Sequence, residues 1–390
     1  MSLARDLLPH DLLPPPEVPV VHDYLSMRPP GMARFDLSGS ESEPVNLQTL
    51  LSLARPEDLA RWHGLRLGYP DPRGSNWLRR TIAGRYAGLG PEDILVTAGA
   101  QEGLSCIAQA LLTPEDHAVV ILPIYSPAER AVTDRCPSTG VALQKQARGW
   151  YLDIAAVEAA IKPSTRLVLT NFPNSPTGAV IGHDDLAALI ELCRRHRIWL
   201  VNDEVYRLTA NRPDRIAAPV VDLYEQGISI DAVSKGLGLP GLRVGWIACR
   251  DAHVRQAAMA AKGQLSACPG APSEVLAQIA LGAEAEIVHR NRRLGAAHRR
   301  HLLAFIDRHG DLFEPAGTDN LAFAFIRYLG RDGVAALTER LARELGLLLL
   351  PSTLWRSRLG FDDSRHIRIG LGKRGVTPAL DVWQVFLDRR

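Results

Sequence analysis

Six short apolar runs limit what this 390-residue chain can fold into. They read DILVTAG, HAVVILP, RLVLTNFP, IWLVNDEV, ISIDAVS and RVGWIACR, all between residues 93 and 250. Each has the length of a strand and turn residues at its ends. Their apolar stretches are continuous rather than alternating, which fits strands buried on both faces. Helix-like stretches lie between them: AQEGLSCIAQALL after Gly99, DIAAVEAAI after Leu152 and HDDLAALIELCRRH after Gly182. Strands alternating with helices predict an α/β fold built on a mainly parallel sheet.

The rhythm changes after SACPGAPS. A long helical stretch, then NLAFAFIRY, GVAALTERLAREL and RHIRIGLG, predicts a smaller α+β unit. The expected division is an N-terminal arm that also contributes to the small domain (residues 1–45), a large domain (46–271) and a small C-terminal domain (272–390). The proline-rich stretch from Pro14 to Pro19 reads as an extended arm.

Charge excludes some partners. The formal net charge is +2, too small to make nucleic acid or an anionic membrane the expected partner. The basic run HRNRRLGAAHRRH, His289 to His301, reads as the solvated face of a helix. Five cysteines without a C-x-x-C pair predict reduced thiols and a cytoplasmic protein. No Cys/His spacing suggests a metal, and no apolar stretch is long enough to predict a membrane span or signal peptide.

One segment carries two incompatible chemistries. In AVSKGLGLPGLRVGW, residues 232–246, Gly236, Gly238 and Gly241 spell a dinucleotide-binding fingerprint. Pro240 interrupts the helix such a fingerprint must open, and no acid stands about twenty residues on, in AMAAKGQ, to hold a ribose. The glycines fit a turn with close backbone approach beside a ligand. The other reading is Lys235 as a reactive amine. It ends a strand at the carboxyl edge of the sheet, where α/β folds bind ligands. Neighbouring strands bring Asn174, Ser175, Asp203 and Tyr206 to that edge, and Gly99, Ala100 and Gln101 open a helix able to bind phosphate. An amine, an acid for a pyridinium nitrogen and a phosphate site together describe a pyridoxal phosphate site.

These segments resemble the fold-type I pyridoxal phosphate enzymes of the class I/II aminotransferase family. SKGLGLPGLRVGW is similar to their lysine segment, NFPNSPTG to their N-x-P-x-N-P-T-G, DEVY to their D-E-x-Y and YPDPRG to their Y-x-x-x-x-G. The resemblance implies a large domain with a mainly parallel seven-stranded sheet, an aminotransferase activity, pyridoxal 5'-phosphate as cofactor and a homodimer with shared active sites. It implies Lys235 as the Schiff-base lysine and acid/base, Asp203 at the ring nitrogen, Tyr206 and the Asn174–Ser175 pair at the ring hydroxyl, and Tyr125 stacked on the ring. Ser234, Arg243 and the Gly99–Gln101 amides would hold the phosphate, helped by Tyr69 from the neighbouring subunit. Arg368 and Gly39 would meet the substrate, Arg368 gripping its carboxylate as a fork.

Three departures stand out. Ser175 replaces the family's asparagine, Ala232 replaces a serine, and FDLSGSESEPVNLQTLL replaces the usual L-x-x-G-E-P-D stretch. The last looks more like the branch containing capreomycidine synthase and related arginine-modifying enzymes. Transamination of an amino acid is the first expectation. The alternative is elimination or cyclisation of arginine or a hydroxylated arginine, with Glu41 or Glu43 on the guanidinium. A ligand-sensing regulator would need an added DNA-binding unit, for which the chain has no basic helix-turn-helix.

Overall fold

Continuous apolar strands demand cover on both faces of the sheet. A computed structural model describes residues 33–146, 149–317 and 319–389, and it provides that cover. One sheet contains β1 (Ile94–Thr97), β2 (His117–Leu122), β3 (Ser138–Ala142), β4 (Thr165–Asn171), β5 (Trp199–Asp203), β6 (Gly227–Ala232) and β7 (Gly245–Cys249). Their spatial order is β1-β7-β6-β5-β4-β2-β3. Only β7 runs antiparallel to its neighbours. In β2, Ala118, Val120 and Leu122 join one buried cluster while Val119 and Ile121 join the cluster on the opposite face. Period-two geometry thus converts an unbroken apolar run into two cores.

The expected helices form between these strands. They are α1 (Ala100–Leu111), the short helix Ile154–Ala160 and α2 (His183–His196). A helix not singled out from sequence, α3 (Ala252–Gly263), follows β7 and is capped by Asp251, which accepts from Val254 N at 2.9 Å. Next come α4 (Ala271–Gly282) and α5 (Glu284–Arg308). Helix α4 buries Val275, Leu276 and Ile279 in one cluster with Leu78, Val96 and Trp246 of the large unit.

The basic run lies on α5, and much of it is tied down. Arg290 Nη2 donates to the Glu43 carbonyl at 2.6 Å, Arg292 Nη1 donates to the Ala210 carbonyl at 2.5 Å, and His298 is buried. The expected solvated face is therefore partly a clamp between segments. Guanidinium groups here satisfy loop carbonyls that water would otherwise meet.

A second, antiparallel sheet holds β8 (Phe313–Pro315), β9 (Phe323–Tyr328), β10 (Leu350–Pro351) and β11 (His366–Gly370), in the order β8-β9-β11-β10. It packs with α5, α6 (Gly333–Leu345) and α7 (Val376–Asp388) around Phe305, Ile326, Leu341, Ile367 and Trp383. The N-terminal Phe35–Asp36 pairs in parallel with Leu347–Leu348, so the chain begins its described course on this smaller unit. Among the described residues no helix is long and apolar enough to cross a membrane. The five cysteines are free thiols, four of them buried.

Candidate active site

The sheet delivers its polar groups to one edge. Asp203 is the last residue of β5, Lys235 stands just beyond β6, and α1 opens just beyond β1. A strap, residues 37–43, crosses this edge. Gly370 N donates to the Leu37 carbonyl at 2.7 Å, and Ser42 N donates to the Lys235 carbonyl at 3.0 Å. The strap therefore joins the small sheet to the lysine turn.

This crossing explains one of the three glycines, Gly238. Gly238 has φ +69°, and a β-carbon there would lie 2.7 Å from the Glu43 carbonyl oxygen and 2.8 Å from that of Ser42. Glycine is needed because the strap passes so close. No helix opens here: Pro240–Leu242 is one 3-10 turn, which disposes of the dinucleotide reading.

Lys235 Nζ donates to Ser40 Oγ at 3.0 Å and lies 4.0 Å from Glu41 Oε2. Ser40 Oγ is also 3.0 Å from the Tyr206 hydroxyl, and Lys235 Nζ stands 5.8 Å over the Tyr206 ring. Glu41 Oε2 accepts from Ser40 N at 3.0 Å, and Glu41 pairs with Lys373. Burial raises the Glu41 pKa, but Lys235 and Lys373 outweigh it and hold the carboxyl below its ordinary value.

Asp203 is buried, and among the described residues its carboxyl accepts one hydrogen bond, from Val205 N at 3.3 Å. Burial pushes it up to about 7, against the pull of the Val205 N–H and Lys235, and the adjacent Glu204 adds to the rise. Glu204 faces elsewhere. It accepts from Val220 N at 3.0 Å and Ser229 Oγ at 2.9 Å, and so ties the loop after β5 to β6.

Gly99 has φ +85°, and a β-carbon there would meet Arg243 Nη2 at 2.4 Å. Arg243 adopts φ +53°, a left-handed conformation that costs a non-glycine residue about 1–3 kcal/mol. Its Nη2 donates to the Ala98 carbonyl at 3.1 Å, beside the start of α1. First-turn N–H groups lack intrahelical partners, so Ala100 and Gln101 offer donors to an anion. The Gln101 amide donates to the Pro127 carbonyl at 2.9 Å and leaves its Oε1 buried without a partner. Ser234 and Ala232 are both buried next to this edge.

Arg368, on β11, is buried. Its Nη2 donates to the Ser38 carbonyl at 2.6 Å and its Nη1 to Ser175 Oγ at 3.3 Å. Its guanidinium stacks 4.9 Å from the Trp355 ring centroid, and its Nε has no partner. Burial lowers its pKa, against the opposing pull of Tyr206, Glu41 and Tyr125. Tyr125 is half-buried, and burial, helped by Tyr206 and opposed by Arg368 and Arg243, raises its phenol. A β-carbon on Gly39 would lie 2.9 Å from both Glu41 Oε1 and Lys373 Nζ.

Two expected residues sit differently from the rest. The Asn174 amide is spent on fixing loops: Nδ2 donates to the Pro123 carbonyl at 2.9 Å, beyond β2, and Oδ1 accepts from Thr177 Oγ1 of its own loop at 2.6 Å. Tyr69 is 95% exposed within one chain. Three further residues enter the site without having been singled out from sequence: Ser38, Ser40 and Lys373. Ser38 and Ser40 fall inside the unusual DLSGSESEP stretch, which was their signal; Lys373 had none.

These groups fit pyridoxal phosphate. The fit rests on a buried Asp203 carboxyl that among the described residues accepts a single hydrogen bond, a glycine cradle against Arg243 at a helix start, and an amine at the strand edge. The fold and site define a pyridoxal phosphate-dependent enzyme of fold type I. The pattern of the aminotransferase class I and II family matches residues 45–372, and the chain belongs to that family. It is 30% identical over 292 residues to the probable N-succinyldiaminopimelate aminotransferase DapC of Mycobacterium tuberculosis, covering 73% of each chain. The solved N-succinyldiaminopimelate aminotransferase of M. tuberculosis superposes with a TM-score of 0.79 at 26% identity, over 90% of this chain and 92% of that one. The fold also matches that of the pyridoxal phosphate-dependent cyclase OrfR, with a TM-score of 0.85 at 24% identity, over 97% of this chain and all of the other. The protein is a pyridoxal phosphate-dependent aminotransferase.

Proposed function

We propose that this aminotransferase takes the α-amino group of an amino acid held by Arg368 and passes it to a keto acid through chemistry at Lys235. The observation that carries the reading is the buried Asp203 carboxyl, met among the described residues by the Val205 N–H alone, at the same sheet edge as the Lys235 amine. Bound pyridoxal phosphate supplies the electron sink for charge developing at the substrate α-carbon. Asp203 would pair with its ring nitrogen, Tyr206 and Ser175 would face its ring oxygen, and Tyr125 would cover the ring. Gly99, Ala100, Gln101, Ser234 and Arg243 would hold the phosphate. Asn174 supports this set by clamping the loop that carries Ser175. Lys235 Nζ takes the proton from the substrate α-carbon, and Arg368 fixes the carboxylate so that this proton faces the amine.

The exposure of Tyr69 supports a homodimer in which Tyr69 reaches the partner's phosphate site. The packing of α4 on Val96 and Trp246 supports a large domain that runs on to about residue 282, with the strap and residues beyond α4 forming the small domain.

A second reading, elimination or cyclisation of an arginine-like substrate, is favoured by one observation: the Glu41 carboxylate lies 4.0 Å from the Lys235 amine. Transamination ranks first because the family match supports it and Lys235, Asp203 and Arg368 lie at one sheet edge. The test supplies a donor amino acid labelled with nitrogen-15 and an unlabelled keto acid. The expected result is label in the amino acid formed from the acceptor. Donor consumption with no label in that product would sink the reading.

A further inference from the structure

The Lys235 amine has a docking place that the family's motifs do not describe. Ser40 Oγ receives its hydrogen bond at 3.0 Å. Glu41 Oε2 flanks it at 4.0 Å and the Tyr206 ring lies 5.8 Å below. The docking groups are themselves held. Ser40 is buried and its hydroxyl is 3.0 Å from the Tyr206 hydroxyl. The Glu41 carboxylate is fixed by the Ser40 N–H and by Lys373. Ser42, two residues on, bonds the Lys235 carbonyl, so strap and lysine turn move as one piece.

We infer that Ser40 and Glu41 form a seat for the unlinked Lys235 amine, holding it in place for proton transfer while it is not bound to the cofactor. The long lysine side chain has four rotatable carbons, and an unheld amine would spend little time near the reacting carbon. A hydroxyl at hydrogen-bond distance and a carboxylate beside it restrict that freedom. Ser40 and Glu41 act through Lys235 and are positioning residues. The inference rests on Lys235 being the reacting amine, which Lys235→Ala tests separately through loss of cofactor fixation by borohydride.

The test uses the full-length enzyme loaded with pyridoxamine 5'-phosphate, so that Lys235 is unlinked. An amine-reactive acylating reagent is added at fixed pH, and modification of the Lys235 peptide is followed by mass spectrometry. Ser40→Ala and Glu41→Gln should each label several-fold faster than the wild type, because the amine leaves its seat. In turnover, Ser40→Ala should lower kcat about tenfold, the worth of one hydrogen bond to a charged group, with the donor KM little changed. Ser40→Thr keeps the hydroxyl and should return both readouts close to the wild type. A wild-type labelling rate in both Ser40→Ala and Glu41→Gln overturns the seat. So does a loss confined to KM. A Glu41→Gln change that raises KM only for cationic donors, with labelling unaltered, makes Glu41 a side-chain selector and overturns its place in the seat.

Discussion

Asp203 shows how one residue can tie stability to the cofactor. In the cofactor-free chain, burial lifts its carboxyl from an ordinary 3.8 to about 7. The unfolded chain releases this proton near its ordinary value while the folded chain keeps it. The Asp203 contribution to stability therefore declines as pH rises between about 4 and 7 and is level above that. Asp203→Asn removes this titration. Denaturant unfolding of the cofactor-free proteins should show the variant gaining on the wild type across that window; parallel pH profiles would refute the burial account. Lys235→Ala makes a second expectation at this scale. It should still bind pyridoxal phosphate through the phosphate cradle but should yield no covalent adduct after borohydride, checked by intact mass. An adduct of wild-type yield would move the reactive amine elsewhere. Lys235, Asp203, Tyr206 and Arg368 were legible in the sequence because each sits within a short motif at a strand end or on a strand. Ser40 was not, because its partner Lys235 lies 195 residues away and only the folded strap brings the hydroxyl to the amine. The loop-clamping role of Asn174 was hidden for the same kind of reason: its carbonyl partner belongs to Pro123, 51 residues earlier.

At the level of elements, the strap and the lysine turn stand or fall together. A β-carbon at Gly238 would press on two backbone carbonyls and sit at φ +69°, and backbone atoms cannot swing aside as a side chain can. Gly238→Ala is expected to cost about 1–3 kcal/mol. Gly241→Ala, in the same segment but with nothing within 4 Å of its added carbon, should stay within about 0.5 kcal/mol of the wild type. Unfolding midpoints of the two variants decide this, and equal losses would mean that the strap does not need the glycine. The strands of the large sheet were readable except β3, whose sequence STGVA mixes small, polar and apolar residues and is half-exposed at the sheet edge apart from Val141. So short and mixed a run does not signal a strand until β2 offers it a partner. The basic stretch of α5 reads as a solvated face and is one only in part, because helical periodicity says which residues share a face, not which loop carbonyls will lie against it.

Across the whole molecule, Tyr69 is 95% exposed within one chain, a surface position open to a second subunit. If Tyr69 completes the partner's phosphate site, Tyr69→Ala should weaken pyridoxal phosphate binding in a dimer of unchanged size. Mixed dimers of Tyr69→Ala and Lys235→Ala should recover activity, because one of their two sites carries neither defect. Activity no higher than that of the parent variants would refute the shared site. Fold does not by itself set the reaction, since this architecture superposes on an aminotransferase and on a cyclase alike; the family match is what assigns transamination. What separates the two outcomes is bookkeeping of the amino group. In transamination the amino group taken from one donor must pass to a keto acid before the same site can work on a second donor. Elimination or cyclisation needs no acceptor. Arginine and a panel of other amino acids, each incubated with a known amount of enzyme sites and no keto acid, should therefore give product that stops at about one equivalent per site. Adding a keto acid should restart it. The assembled Lys235, Asp203 and Arg368 set leads to that expectation, because it provides proton movement at the α-carbon and a grip on the α-carboxylate. Product that continues past one equivalent without an acceptor, from arginine or its hydroxylated form alone, would show that the same scaffold has turned to loss of a side-chain group.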